Sequence, residues 1–180
     1  MRQDSTLAPW MELRERLAGH FAARSRGLLA LEYVLSSRSG EEFGRLRVHG
    51  PEGAELALGS TRAEIERTAR SRYRMMIGGA QTLVAEPARS TADVLKVRLG
   101  SRTYEARLDL LRNTAVARSS GGQEAARIVG GLTNRSYETD FDAADEGSLP
   151  VAVFLLYHAA ALRRRAFLAG AKGGETSNSS

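Results

Sequence analysis

The stretch "SLPVAVFLLYHAAALRRRAF", Ser148 to Phe167, decides the fold: it is apolar on every helical face from Val151 to Leu162 and then meets Arg163, Arg164 and Arg165. Its ends are signalled. Ser148 suits an N-cap and Pro150 a first turn. Asp142, Asp145 and Glu146 precede it and the three arginines close it, which complements the helix dipole. A helix over 149–168 is expected. Val151 to Leu162 covers roughly 18 Å of helix, whereas a bilayer's hydrocarbon core is about 30 Å thick. No transmembrane segment is therefore expected. An all-apolar helix too short to span a membrane must be surrounded by protein. His158 is its one polar residue, expected to sit in the core with a single hydrogen bond to backbone or a neighbouring strand rather than to act as ligand or catalyst.

The rest of the chain supplies a container. From about Leu28 the apolar period is two: "LLALEYVL", "FGRLRVHG", "ELALG", "ARSRYRMMIGG", "QTLVAE", "VLKVRLG", "RTYEARLDL", "NTAVARSS", "QEAARIVGG" and "RSYETDFD", separated by turn signals such as Gly100-Ser101 and Gly121-Gly122. Short strands with one apolar and one charged face predict a mainly β fold, an antiparallel sheet closed into a barrel or folded into a sandwich. An amphipathic helix is predicted over about Pro9 to Arg24, with Trp10, Leu13, Leu17 and Phe21 on one side. The domain reading is an N-terminal helical extension over 1–26, the barrel with its central helix over 27–168, and a flexible tail over 169–180.

A hydrophobic C-terminal helix inside an antiparallel barrel of about twelve strands resembles the tubby C-terminal-like superfamily, which includes tubby proteins, phospholipid scramblases and LURP-one-related proteins. The segment from Gly121 to Arg165 carries the resemblance: Gly122, Ala126 and Ile128 match a G-x-x-x-A-x-I strand. Tyr137 and Phe141 match an aromatic strand, followed by an acidic loop and the helix from Leu149. The resemblance implies a non-catalytic binding module for anionic lipid headgroups or another phosphorylated ligand. The chain has no cysteine cluster for acylation, and "DFDAADEGS" lacks calcium-loop spacing, so scramblase activity is not implied.

Composition bounds the remaining chemistry. The 180 residues contain no cysteine, which excludes disulfides, thiolate metal sites and cysteine nucleophiles. That fits a reducing cytoplasm, with a peripheral place at a membrane as the variant the lipid reading requires. No secretory signal is read at the N-terminus. The net charge is +5, with nearly all the positive charge from arginine; Lys96 and Lys172 are the only lysines, which looks like the codon bias of a GC-rich genome. His20, His49 and His158 are far apart, and no metal spacing, nucleophile elbow or phosphate loop appears, so no catalytic residue, metal or cofactor is expected. The candidate binding residues are the strand-face cations Arg45, Arg47, Arg70, Arg72, Arg74, Lys96 and Arg98, which form a phosphate-binding patch if their strands are neighbours. The competing reading pairs them with Glu41, Glu42, Glu64, Glu66 and Glu105 across strands. A protein-interaction or nucleic-acid-binding module on the same face is the alternative function.

Overall fold

The computed structural model describes residues 8–26, 32–88 and 94–173, with side chains of the last helix described as far as Ala166. The strands close into one barrel in the order β1-β12-β11-β10-β9-β8-β7-β6-β5-β4-β3-β2. They are β1 (His20–Arg26), β2 (Glu32–Ser36), β3 (Glu42–Val48), β4 (Gly53–Leu58), β5 (Thr61–Ala69) and β6 (Arg72–Ile77), then β7 (Ala80–Pro87), β8 (Val94–Leu99), β9 (Arg102–Asp109), β10 (Thr114–Ser119), β11 (Glu124–Gly130) and β12 (Ser136–Phe141). Each strand pairs antiparallel with its sequence neighbour, and β1 closes the ring on β12 through Ala22↔Glu138 and Ala23↔Tyr137. Closure leaves no edge to pair with another chain.

Alternation sets the faces as the period-two reading expects. In β6 the buried residues are Tyr73, Met75 and Ile77, and in β8 Val97 and Leu99 point inward between Lys96 and Arg98. Two strands escape the sequence pattern. Strand β5, "TRAEIERTA", buries only Ala63 and Ile65 among charged and polar residues, so its period is faint. Strand β1 lies where the helix was predicted to continue. The first helix, α1, spans Ala8–Leu17 and stops because Ala18 and Gly19 take φ of 49° and 85°. Phe21 keeps the helical spacing from Leu17 by coincidence; it is a barrel residue, edge-on to Phe43 at 5.7 Å and beside Phe141 at 6.3 Å. The barrel therefore begins at His20, inside the segment assigned to the helical extension. The expected residues 28–31 of "LLALEYVL" lie outside the described residues.

The C-terminal helix, α2, spans Ser148–Gly173, longer than expected, and passes through the barrel. Leu149 and Val151 to Ala161 are at most 5% exposed on every face, with tyrosines from β2, β6, β9 and β12 (Tyr33, Tyr73, Tyr104, Tyr137) also buried in the core. The loop before it is tightly made. Asp145 Oδ1 accepts from the Gly147 amide at 2.9 Å, from the Tyr104 hydroxyl at 3.0 Å and from Arg102 at 2.8 Å. Ser148 is not the N-cap. Its hydroxyl donates to the carbonyls of Asp142 (2.6 Å) and Asp145 (2.8 Å), while Gly147 gives the first helical carbonyl to Val151. Gly147 is required there, because a Cβ would stand 2.1 Å from the Tyr104 hydroxyl oxygen. No helix among the described residues is long and apolar enough to cross a membrane.

The up-and-down order gives the barrel two ends. Helix α2 enters at one, beside α1, the acidic loop and the turns that lead from even to odd strands. It leaves at the other, where the turns β3–β4, β5–β6, β9–β10 and β11–β12 surround Arg163, Arg164 and Arg165.

Candidate functional site at the helix exit

Register decides what the strand-face arginines can do. Strands β3, β6 and β8 are not neighbours: β4 and β5 separate the first two and β7 the last two. With strands about 4.8 Å apart, Arg45 and Arg74 stand roughly 14 Å apart around the wall. Four of the seven candidates are also paired with acid. Arg45 bonds Glu42 at 2.7 Å, Arg47 bonds Glu32 at 3.2 Å, Arg74 bonds Glu66 at 2.6 Å and Arg98 bonds Glu86 at 3.1 Å. Lys96 lies between Glu86 and Glu105 in register. A surface cavity of about 370 Å³ does hold Arg45, Arg47 and Arg62, but Glu32, Glu55 and Glu64 line it too. The wall is a checkerboard of exposed ion pairs, each contributing little to stability. Arg72 is exposed on β6, and Arg70 is not on a strand face: it sits in the β5–β6 turn beside Ser71, whose φ is 57°. A two-residue turn without glycine carries little sequence signal.

That turn position brings Arg70 to the helix exit. Here two cavities flank Pro51. One, about 350 Å³, is lined by Arg67, Arg70, Ser71, Tyr73, His158 and Arg165 with Pro51, Ala161 and Leu162. The other, about 640 Å³, is lined by Glu32, Arg47, Val48, His49, Gly50 and Pro51, with Ala161, Arg164 and Arg165 from α2. The 3-10 turn Gly50–Glu52 lies against α2 and accepts the Tyr157 hydroxyl on the Pro51 carbonyl at 3.2 Å. Arg70, Arg164 and Arg165 make no hydrogen bond or ion pair with the described protein; Arg67 reaches Glu52 only at 3.5 Å.

The smaller cavity has an unsatisfied floor. Four of the five tyrosines donate their hydroxyls to protein acceptors, namely Tyr33, Tyr104, Tyr137 and Tyr157. Tyr73 does not, and it faces His158 edge-on at 5.2 Å. His158 is 5% exposed, stacks on Phe154 at 5.8 Å, and leaves Nδ1 buried without a partner, so the single expected hydrogen bond is missing. Burial holds its pKa down to about 4, so the ring is neutral at pH 7. Burial raises the Tyr73 hydroxyl, although Arg67 and Arg165 oppose the shift, and it stays a donor. The cavity thus offers three cations on its walls and two neutral polar groups on its floor. Such an arrangement suits a compact multivalent anion. Beneath α1, Trp10 Nε1 and Arg14 Nε and Nη1 are also buried without partners, but the 180 Å³ cavity beside that helix holds Glu12 with Arg16 and does not include Arg14. Among the described residues no cluster of histidine and carboxylates could hold a metal.

No protein-family model matches the chain, and no curated protein matches it. One solved structure does: the X-ray structure of a protein from Arabidopsis thaliana, AT5G01750, at a TM-score of 0.54 and 15% identity, over 77% of this chain and 90% of that one. At that identity the likeness is one of fold.

Proposed function

We propose that this chain is a non-catalytic binding module of the tubby C-terminal-like superfamily, LURP-one-related or scramblase-like, and that it holds an anionic lipid headgroup or another phosphorylated ligand at the helix exit. The observation that carries this reading is the convergence of Arg70, Arg164 and Arg165, none with an acid partner, on two cavities that share Arg165: Arg70 lines the smaller, floored by Tyr73 and His158, and Arg164 the larger beside it. Arg45, Arg47, Arg74 and Arg98 of the sequence reading are each paired with a glutamate, which favours a ligand site at the end of the barrel over one on its wall. A binding role suits positive charge and neutral donors better than acid–base chemistry does. It also suits a cytoplasmic protein that visits a membrane surface, where each basic side chain contributes about 1 kcal/mol of attraction to anionic lipid.

Sedimentation with phosphatidylserine vesicles, and calorimetric titration with glycerol 3-phosphate, test it. Binding to anionic but not to phosphatidylcholine vesicles is expected, weakened about tenfold or more by Arg164→Glu with Arg165→Glu. Arg98→Gln, on the paired wall, leaves it unchanged. Equal binding to both vesicle types, or binding to neither vesicle nor phosphate, rejects the proposal.

A further inference from the structure

The described residues include four large hydrophobics that stay exposed, and all four lie on two adjoining hairpins at the helix exit. They are Leu110 (43%) and Leu111 (97%) at the β9–β10 turn, and Val129 (43%) and Leu132 (96%) at the end of β11 and in the β11–β12 turn. Single exposed leucines are ordinary. Four gathered at one end of a barrel with no others exposed among the described residues are not scattered.

These turns are also firmly made. Asp109 Oδ1 accepts the amides of Leu111 and Arg112 at 3.1 and 3.0 Å, which fixes the first turn. Asn134 fixes the second: its carbonyl accepts the Tyr33 hydroxyl at 2.8 Å, and its side chain accepts that of Tyr137. The hairpins are laced to each other. Asn113 donates to the Gly131 carbonyl at 2.8 Å, and Arg163 donates to the carbonyls of Leu110 (2.9 Å) and Leu132 (3.4 Å). Leu111 and Leu132 are thus held out into solvent by a rigid frame.

Charge names the occupant. Arg112 stands beside Leu111 with its side chain 83% exposed, and Arg164 and Arg165 lie across the same mouth. Arg112 reaches only the exposed Asp109, at 3.7 Å, and Arg164 and Arg165 reach no acid. Apolar tips set among exposed arginines match the boundary between acyl chains and anionic headgroups, where both groups find partners at one depth. We propose that the exit end is a membrane-docking face: Leu111 and Leu132 enter the acyl boundary of an anionic bilayer while the arginines lie among its phosphates. This rests on the reading of the exit end as an anion site, and it chooses a bilayer over a free phosphorylated ligand.

A Leu111→Trp variant reports directly, because the only native tryptophan, Trp10, is 1% exposed under α1 at the other end. On phosphatidylserine vesicles its emission should shift to the blue and be quenched by brominated acyl chains. Leu111→Ser with Leu132→Ser, both in fully exposed positions, should leave folding intact and lower vesicle binding about tenfold or more. Glycerol 3-phosphate titration of the double variant should be unchanged. Three results overturn the docking face: vesicle binding unaffected by the double variant, a bound Leu111→Trp protein with no blue shift, or phosphate binding without vesicle binding. The anion site survives each of these. Loss of a concentration-dependent dimer in the double variant, with vesicle binding absent, assigns the leucines to an interface between copies and also overturns it.

Discussion

The two ends of this barrel are built from the same hairpin connections and differ in what they leave unsatisfied. At the entry end, Arg102 is bound by Asp145 at 2.8 Å and Glu146 at 2.6 Å, and the acidic loop closes over the start of α2. None of the exposed large hydrophobics lies there. At the exit end Arg70, Arg164 and Arg165 lack acids, Tyr73 and His158 lack partners, and Leu111 and Leu132 face solvent. One end pairs its charges around the start of the axle, and the other leaves cations and apolar tips unpartnered. The exposed arginines and leucines cost little stability where they stand, whereas the buried His158 carries the cost of an unsatisfied nitrogen. Stability and function should therefore separate along the barrel axis.

Both ends depend on the axle, so breaking it should erase the contrast with the largest effect of all. Leu156 is 0% exposed and lies on the helix face opposite His158, where no imidazole can neutralise an introduced carboxylate. Leu156→Asp should cost more than about 5 kcal/mol and leave the chain unfolded, since a buried charge without a partner carries a penalty of several kcal/mol on top of the lost apolar contact. Circular dichroism and denaturant titration would read this; a cooperative transition for the variant would show that the helix is not enclosed.

A second, smaller effect marks the exit end of the same helix. His158 has a folded pKa near 4 against an unfolded value of 6.5. Above pH 6.5 the ring is neutral in both states and imposes no penalty. As pH falls from 6.5 toward 4, only the unfolded state takes up the proton, so stability declines by about 3 kcal/mol before levelling off. The difference in unfolding free energy between the wild-type protein and His158→Leu, followed from pH 7 to pH 4, isolates this from the titrating carboxylates. A flat difference curve would mean that His158 is not buried.

The axle, the closed sheet and most strands were legible in the sequence because length, burial on all faces and alternation are local properties. Strand β1 was not, since Phe21 stands at helical spacing from Leu17 and only the positive φ of Ala18 and Gly19 turns the chain. Strand β5 was not, because Arg62, Glu64 and Glu66 outnumber its inward residues Ala63 and Ile65. The site was less legible still. Whether Arg45 meets Glu42, or Arg98 meets Glu86, depends on side-chain reach and register that a single strand's pattern does not carry. Arg70 and Arg165 are 95 positions apart in sequence and share a cavity only after the barrel closes around α2. The triple arginine read as a dipole-matched helix end was in view throughout; what it faced was not.

The entry end provides the third test. Asp145→Ala removes the acceptor of the Gly147 amide, the Tyr104 hydroxyl and Arg102 together, leaving a tyrosine hydroxyl with 1% residue exposure to find another partner. A loss of about 2–3 kcal/mol in denaturant unfolding is expected. A change under about 0.5 kcal/mol would show that the loop does not brace the helix start.

The smallest stability effect belongs to the exit-end arginines, and its smallness is the point. Arg70→Gln with Arg165→Gln removes two cations that contact no acid in a chain of net charge +5, so no ion pair is broken and some like-charge repulsion is relieved. Unfolding free energy should change by about 0.5 kcal/mol or less, in either direction. Binding to phosphatidylserine vesicles should nevertheless fall about thirtyfold, at roughly 1 kcal/mol of lost attraction per arginine, with a gentler dependence on salt. A variant that loses stability but keeps vesicle binding would place structural work at the exit end and abolish the division between the two ends. A variant that keeps both would leave the cavities with no role for these arginines and move the search for the ligand to the barrel wall.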